Sequence, residues 1–325
     1  MNLSTPILVS GAGGFIGSYF INHLIAAGVQ AKDIIACDDL EHMKNRKCTK
    51  KWRSTEVLQV SREDLFTKLD QLAPKNIFHF GACSRTDETN WAYLEETNIN
   101  YSKNLWNWCA QNQVAFAYAS SAATYGGGEH GFDDKMSNLQ DLKPLNLYGK
   151  SKWIFDLWTI EEATKGNAPK NFWGFKFFNV YGPGEEHKGS QASVVLHASK
   201  QAKESGEIRL FKSHNPDFND GMQMRDFIYI KDLSKVVLWV LEKMPANGIY
   251  NLGTGNAQSF IDLAEGVKKA LDLNVPIKFI PTPDHLQEHY QYYTEAKMQK
   301  LREAGYTEPF AKLEEGIVGM LSEMP

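Results

Sequence analysis

Short apolar runs that stop at glycine or small polar residues alternate with longer stretches of helical periodicity over the first half of the chain. Ile7-Leu8-Val9-Ser10 is the first run, and Phe20, Ile21, Leu24 and Ile25 carry the helical spacing that follows. Apolar positions three and four apart make one face of an α-helix, whereas a short continuous run bounded by turn residues suits a strand buried on both faces. Ile34-Ile35-Ala36-Cys37 is the second run and ends in Asp38-Asp39. The same reading predicts strands at 57–60, 76–80, 114–119 and 172–178, with helices at 62–72, 93–112 and from Leu145 to Thr164. Strands alternating with helices imply a parallel, doubly wound sheet.

After Asn179 the pattern changes. Asn179-Val180-Tyr181-Gly182-Pro183-Gly184 is turn-rich, and 214–221 is a loop of Asn, Asp, Pro and Gly. Helices are expected at 191–204, 231–243, 259–271, 295–304 and 310–323, and strands at 225–230, 248–252 and 275–280. The strand-helix pair at 225–243 has the character of the first half, so the chain is expected to cross back. The expected fold is therefore α/β: a doubly wound parallel Rossmann sheet from 1–178 with 225–247, and a smaller interleaved α/β substrate domain from 179–224 with 248–325.

Composition narrows the class. Of 325 residues, 42% are apolar and 23% charged, as in an ordinary globular protein with a sizeable core. The net charge of −4, without a long run of one sign, argues against a nucleic-acid partner. Lys44, Arg46, Lys47, Lys50, Lys51 and Arg53 form a local basic cluster that reads as a solvated loop. Cys37, Cys48, Cys83 and Cys109 are scattered without metal-ligand spacing. Reduced thiols, no metal and a cytoplasmic location are expected. The first residues lack a signal-peptide layout, and no segment approaches the ~18 apolar residues of a membrane span, so no membrane association is expected.

The candidate chemistry lies at the ends of the predicted strands. Gly11-x-x-Gly14-x-x-Gly17 falls between a strand and a helix, with an acid closing the next strand. In that context Gly11 permits the tight turn, Gly14 lets backbone approach a pyrophosphate, and Gly17 lets helix pack on strand. Asp38 stands where a carboxylate meets a ribose 2′-OH, which favours NAD. The basic cluster after it suits a 2′-phosphate, which favours NADP. Gly81-Ala82-Cys83-Ser84 is a small, polar strand end, and Ser121 closes another strand. Tyr148 and Lys152 stand four apart on one helix face. Alone, such a pair is common surface. Following the glycine turn and Ser121, it suits proton exchange during hydride transfer: Ser121 donates to a substrate oxygen, Tyr148 exchanges its proton, and Lys152 holds the ribose and lowers the phenol's pKa. Bringing a phenol from roughly 10 to near 7 takes about 4 kcal/mol of differential stabilisation.

These motifs, with Arg225-Asp226-Phe227-Ile228-Tyr229, resemble the extended short-chain dehydrogenase/reductases. Within that group the chain is similar to the ADP-heptose 6-epimerases, on Tyr118–Gly127, Pro144–Gly149, Phe178–Pro183 and above all Glu186-His187-Lys188-Gly189-Ser190-Gln191-Ala192-Ser193. The resemblance implies transient oxidation at C6 of ADP-D-glycero-β-D-manno-heptose by bound NADP, with NAD as the alternative, and re-reduction on the opposite face. It assigns Tyr148 and Lys188 as the two acid/base groups, with Ser121 and Lys152 beside them. It maps the cofactor onto Gly11, Gly14, Phe15, Ile16, Gly17, Asp38, Asp39, Lys51, Gly81, Ala82, Cys83, Ser84, Asn98, Tyr148, Lys152, Val180 and Lys188. Substrate contacts map onto Asn179, Ser190, His197, Phe211, Arg225 and Tyr290. Arg225 suits a diphosphate, or an ion pair with Asp226, and His197 is either a ligand or a core histidine. A homo-oligomer, pentameric in that family, is also implied. Segment 41–53 aligns loosely and loop 214–224 is longer than usual. The rivals are another nucleotide-sugar enzyme, such as a UDP-hexose 4-epimerase, and a non-catalytic dinucleotide sensor. Ala122-Ala123 stand where dehydratases carry an acidic pair.

Overall fold

The computed structural model describes residues 3–287 and 290–324, so positions 1, 2, 288, 289 and 325 of the expected domain ranges lie outside it. Twelve strands are defined among the described residues: β1 (Ile7–Ser10), β2 (Ile34–Asp38), β3 (Leu58–Ser61), β4 (Asn76–His79), β5 (Ala115–Ser121), β6 (Phe172–Phe177), β7 (Asn179–Tyr181), β8 (Ile208–Phe211), β9 (Met224–Tyr229), β10 (Gly248–Leu252), β11 (Ala257–Ser259) and β12 (Ile277–Ile280). Seven of them form one sheet in the order β10-β6-β5-β4-β1-β2-β3, parallel throughout. β1 is buried at all four positions. Ile7 and Val9 enter one apolar cluster and Leu8 the other, as strand alternation between two covered faces requires.

Helices flank the sheets: α1 (Phe15–Ala26), α2 (Leu40–Asn45), α3 (Lys50–Arg53), α4 (Leu65–Leu72), α5 (Trp91–Leu94), α6 (Tyr101–Asn112), α7 (Leu147–Thr164) and α9 (Ile230–Lys243), with α8 (Val194–Ser205) and α10 (Phe260–Leu271) on the strands of the smaller sheets. Three shorter or terminal ones follow: α11 (Asp284–Gln287), α12 (Gln299–Glu303) and α13 (Leu313–Glu323). Strand order reverses between β1 and β4. In open α/β sheets a ligand crevice lies outside the carboxyl ends of strands at that point.

The rest is built on two small sheets, β11-β9-β7 and β12-β8. Strand membership here differs from the expected division at 225–247 and 248–325. β10 pairs in parallel with β6 at the edge of the large sheet, and it is buried at every position. β9 instead pairs with β7 and β11, while α9, which follows it, packs beside α1. The crossing back thus begins at the helix rather than the strand. Periodicity identifies a strand but not its neighbours, so β9 and β10 looked interchangeable.

The basic segment is also more structured than a solvated loop. It forms α2, a 3₁₀ turn at Lys47–Thr49, and α3. Its anchor is Trp52, fully buried, whose indole donates to Ser18 Oγ at 3.0 Å. Ser18 Oγ in turn donates to the Cys48 carbonyl at 2.7 Å, tying the segment to α1. Trp52→Ala should cost about 3–5 kcal/mol through the cavity it leaves. Chemical denaturation with the slope unchanged and the midpoint lowered is the expected result; an unmoved midpoint would remove Trp52 as the anchor.

Candidate active site

The glycine turn sits directly after β1. Gly11 has φ +74°, and a Cβ there would lie 2.5 Å from Gly81 N in the turn after β4. A Cβ on Gly17 would lie 2.2 Å from Gly11 O, whereas one on Gly14 would meet only Gly11 O at 3.1 Å. Gly14 caps α1 without a side chain, so nothing of its own covers the first N–H groups of that helix. Bare helix N-termini bind phosphate, and the turn is a cradle shaped for a dinucleotide. Phe15 and Ile16 open α1, with Phe15 buried. Asp38 Oδ2 accepts from Gly13 N at 2.9 Å and Oδ1 from Asp39 N at 2.7 Å. The carboxylate that could meet a ribose therefore also braces the turn. Asp39 caps α2, accepting from Glu41 N and His42 N, and these bonds hold its carboxyl below the usual range.

The segment of basic residues closes over this turn. Arg46 Nη1 and Cys48 Sγ both donate to Gly13 O, at 3.1 and 3.7 Å. Lys51 lines a cleft of about 400 Å³ with Phe15, Tyr19, Cys48, Gly184 and Lys231. Cys48 also lies 3.9 Å from His187 Nδ1, in the loop after β7.

Gly81, Ala82, Cys83 and Ser84 form the neighbouring wall. The Asn98 carboxamide fastens it: Oδ1 accepts from Cys83 N at 2.8 Å, and Nδ2 donates to Cys83 O at 3.0 Å and to Ser151 Oγ at 2.9 Å. Thr97 Oγ1 donates to the same Oδ1 at 3.2 Å. Asn98 is fully buried and lies in a π-helical stretch, Glu95–Asn100, between α5 and α6; such stretches recur at functional sites. Through its bonds to Cys83 and Ser151 the side chain holds the loop to α7.

α7 delivers the chemistry. Asn146 caps it by accepting from Gly149 N at 2.7 Å, so Tyr148 and Lys152 fall in its first turns, both buried. Lys152 Nζ donates to Ala119 O at 2.9 Å. Ser121 Oγ accepts from Ala123 N at 3.1 Å, which fixes the oxygen and leaves the hydroxyl proton to be donated. Burial pushes the Tyr148 phenol up, and the Ser121 hydroxyl beside it acts in the opposite sense. Burial outweighs the Ser121 hydroxyl at this phenol. Lys152 is itself pushed down to about 8 by burial, against the pull of Asp156.

The remaining predicted residues lie on the smaller sheets and their loops. Val180 is half-buried on β7 and Asn179 exposed. Lys188 lies in the 3₁₀ turn Glu186–Gln191, its ammonium 5.5 Å from the centre of the Phe15 ring and 3.9 Å from Glu185 Oε2. Burial lowers its pKa, opposed by Glu185. Ser190 is exposed, and His197 is half-buried on α8. Arg225 is buried between the rings of Phe260 and Tyr290, 5.6 and 5.3 Å from their centres. Its guanidinium donates to the carbonyls of Met224 and Gln291. The alternative ion pair with Asp226 is absent: that carboxylate accepts from Thr254 N, Thr254 Oγ1, Gly255 N and Ala296 N instead. Phe211 ends β8, where its carbonyl accepts from Gln223. Tyr290 meets His214 edge-on, so the long loop reaches the same aromatic cluster.

Two groups escaped the sequence reading as parts of the site: Asp156 and Lys176. Asp156 had a legible signal, lying four residues beyond Lys152 on the same face. Lys176 had none, since an apolar strand context predicts no buried ammonium.

Fold and site together define a dinucleotide-binding enzyme of the doubly wound class, with a Tyr/Lys helix beside the phosphate cradle. Residues 7–253 match the NAD dependent epimerase/dehydratase family, and the chain belongs to it. The cofactor class of that family is a nicotinamide dinucleotide. The chain is similar to the ADP-L-glycero-D-manno-heptose-6-epimerase of Fusobacterium nucleatum subsp. nucleatum, at 44% identity over 324 residues, covering 96% of this chain and 95% of the relative. Its fold is similar to the crystal structure of the Helicobacter pylori ADP-L-glycero-D-manno-heptose-6-epimerase, with TM-score 0.79 and 25% identity over 97% of this chain and 94% of that one. A UDP-glucose 4-epimerase of Thermus thermophilus in complex with NAD shares the fold at TM-score 0.79 and 22% identity, covering 97% of each chain. Among the described residues no helix is long and apolar enough to cross a membrane.

The depressed Lys152 pKa carries a stability cost. Between about 8 and the ordinary 10.5 the unfolded chain binds a proton that the folded chain does not, so stability rises with pH there and the full cost stands below 8. Lys152→Met should therefore stabilise the cofactor-free protein at pH 7 by up to roughly 3 kcal/mol, with the gain shrinking toward pH 10. Thermal unfolding at the two pH values checks it; a gain independent of pH would refute the assignment.

Proposed function

We propose that the protein inverts C6 of ADP-D-glycero-β-D-manno-heptose to the L-glycero epimer, by transient oxidation to a ketone and re-reduction from the opposite face. The observation that supports it most is the pairing of two proton-carrying side chains on separate elements, Tyr148 on α7 and Lys188 in the loop after β7, within a chain 44% identical to a heptose epimerase. Inversion through a planar carbon needs such a group for each face.

Ser121 donates a hydrogen bond to the C6 oxygen and holds it beside Tyr148. As phenolate, Tyr148 removes the hydroxyl proton while the C6–H electron pair leaves. Bound nicotinamide supplies the acceptor of that pair and its return. After the ketone turns over, Lys188 protonates the oxygen on the second face; burial lowers its pKa, which eases that proton's release. Arg225 lacks a carboxylate partner among the described ion pairs and meets the substrate diphosphate, whose oxygens match its fork. The two-domain division, with the heptose between the large sheet and the smaller ones, belongs to this reading. We assign NADP as the cofactor: Arg46 brings a guanidinium to Gly13, and Lys51 stands on the same segment. Asp38, braced on backbone N–H groups, keeps NAD as the alternative.

Incubation with the D-glycero substrate, with C6 configuration followed by NMR and the co-purified nucleotide identified by mass, tests reaction and cofactor together. Net accumulation of reduced nucleotide would mean a dehydrogenase instead. Tyr148→Phe and Lys188→Met should each lower kcat by about 10²–10⁴-fold with the nucleotide still bound. Unimpaired turnover in Lys188→Met would end the two-base assignment. Arg225→Met should raise KM roughly 10–100-fold with kcat nearly unchanged; a KM within twofold of the parent would remove Arg225 from the diphosphate site.

A further inference from the structure

We propose that Asp156 and Lys176, a buried ion pair one helical turn beyond Lys152, are positioning residues that hold the Ser121 turn against α7 and balance the charge around Tyr148. The proposal rests on the reading of Tyr148 as proton carrier. Lys176 Nζ lies 2.9 Å from Asp156 Oδ2, with the two side chains 1% and 0% exposed. Tyr148, Lys152 and Asp156 follow one another at four-residue spacing, so they share one face of α7.

The pair grips β5 and its exit at several points. Asp156 Oδ2 also accepts from Ser120 Oγ at 2.7 Å, and Oδ1 accepts from Tyr118 OH at 3.1 Å. Those two residues bracket Ala119, whose carbonyl receives Lys152, and Ser120 adjoins Ser121. Lys176 Nζ donates to Thr124 Oγ1 at 2.5 Å, and Thr124 Oγ1 donates to Ser121 O at 2.8 Å. Ser121 is thus held from both sides by one ion pair. The backbone is fitted to it: a Cβ on Gly174, in β6, would lie 2.5 Å from the Tyr118 hydroxyl.

A buried ion pair seldom stabilises a fold more than well-packed apolar residues of the same volume would. Its presence here, in direct hydrogen-bonded contact with the turn that carries Ser121, is accounted for by position and charge. The charged and titratable groups facing Tyr148 and Lys152 are Cys83 from the loop after β4, His79 from β4, and Asp156 on α7. Asp156 acts on both Tyr148 and Lys152 in the sense of an anion, and Lys176, 2.9 Å from it, carries the opposite charge. Removing one partner therefore exposes Tyr148 to the charge of the other. The phenol should titrate higher in Lys176→Met, where the carboxylate is uncompensated, and lower in Asp156→Asn, where the ammonium is.

The test is the titration of Tyr148 by NMR of protein labelled at tyrosine Cζ, with the signal assigned by its loss in Tyr148→Phe. Lys176→Met and Asp156→Asn are compared as holoenzymes, alongside the acid limb of kcat. The expected separation between them is about one pH unit or more, with Lys176→Met the higher; a smaller separation, or the reverse order, overturns the charge-balancing role. A second variant keeps both charges and tests the grip: Ser120→Ala with Thr124→Val should lower kcat about tenfold or more, change KM less than threefold, and leave the Tyr148 titration in place. An undiminished kcat there overturns the positioning role, and this arm stands even where a single charge variant fails to fold. Absence of epimerisation by the unmodified protein would instead count against the proposed function, while the NMR titration would still report on the ion pair.

Discussion

Two backbones touch where the order of the large sheet reverses, and the site is referenced to that contact. Gly11 and Gly81 leave no room for a Cβ between the turns after β1 and β4. The phosphate cradle and the Cys83 loop are consequently one rigid wall. Asn98 carries the reference onward, since its carboxamide joins Cys83 to Ser151 on α7. Tyr148 and Lys152 are therefore placed relative to the cradle by backbone contact and one fully satisfied amide rather than by mobile side chains. Preorganisation of this kind is what lets a site hold productive geometry without reorganising during reaction.

Burial is the dominant electrostatic influence on the reacting groups. It raises Tyr148 and lowers both Lys152 and Lys188, moving all three toward their neutral forms. The cost appears as lost stability at Lys152, the usual exchange of stability for function at a site. Carboxyl groups buried elsewhere act as braces. Asp226 collects four donors beside Arg225, and Glu185 accepts from Ser193 N, Ser193 Oγ and Gly182 N beneath Lys188.

The two halves of the site are also coupled across the glycine turn. Arg46 and Cys48 close over Gly13, Cys48 meets His187, and the next residue, Lys188, lies over Phe15. The segment between β2 and β3 thus touches the loop that carries Lys188. An enzyme that must return its hydride before releasing product benefits from a cradle covered in this way.

The order of strands and helices, the glycine turn and the Tyr148/Lys152 spacing were all legible along the chain. Each depends on residues within a few positions of one another, where periodicity and backbone sterics act directly. What remained hidden involves partners far apart in sequence. β9 and β10 exchanged sheets because an apolar run announces a strand without naming its neighbours. The segment carrying Arg46 and Lys51 reads as loop because nothing in the sequence announces that Trp52 is buried against Ser18. Nothing in the sequence announces that the Asn98 carboxamide bonds Cys83 and Ser151, which lie 15 and 53 positions away. The sequence by itself determined most of the alternating strands and helices of the large sheet and offered candidate groups at their ends. Only the tertiary structure decided which charges are desolvated and what compensates them, because burial and ion pairing such as Asp156 with Lys176 exist only once β5, β6 and α7 have packed together.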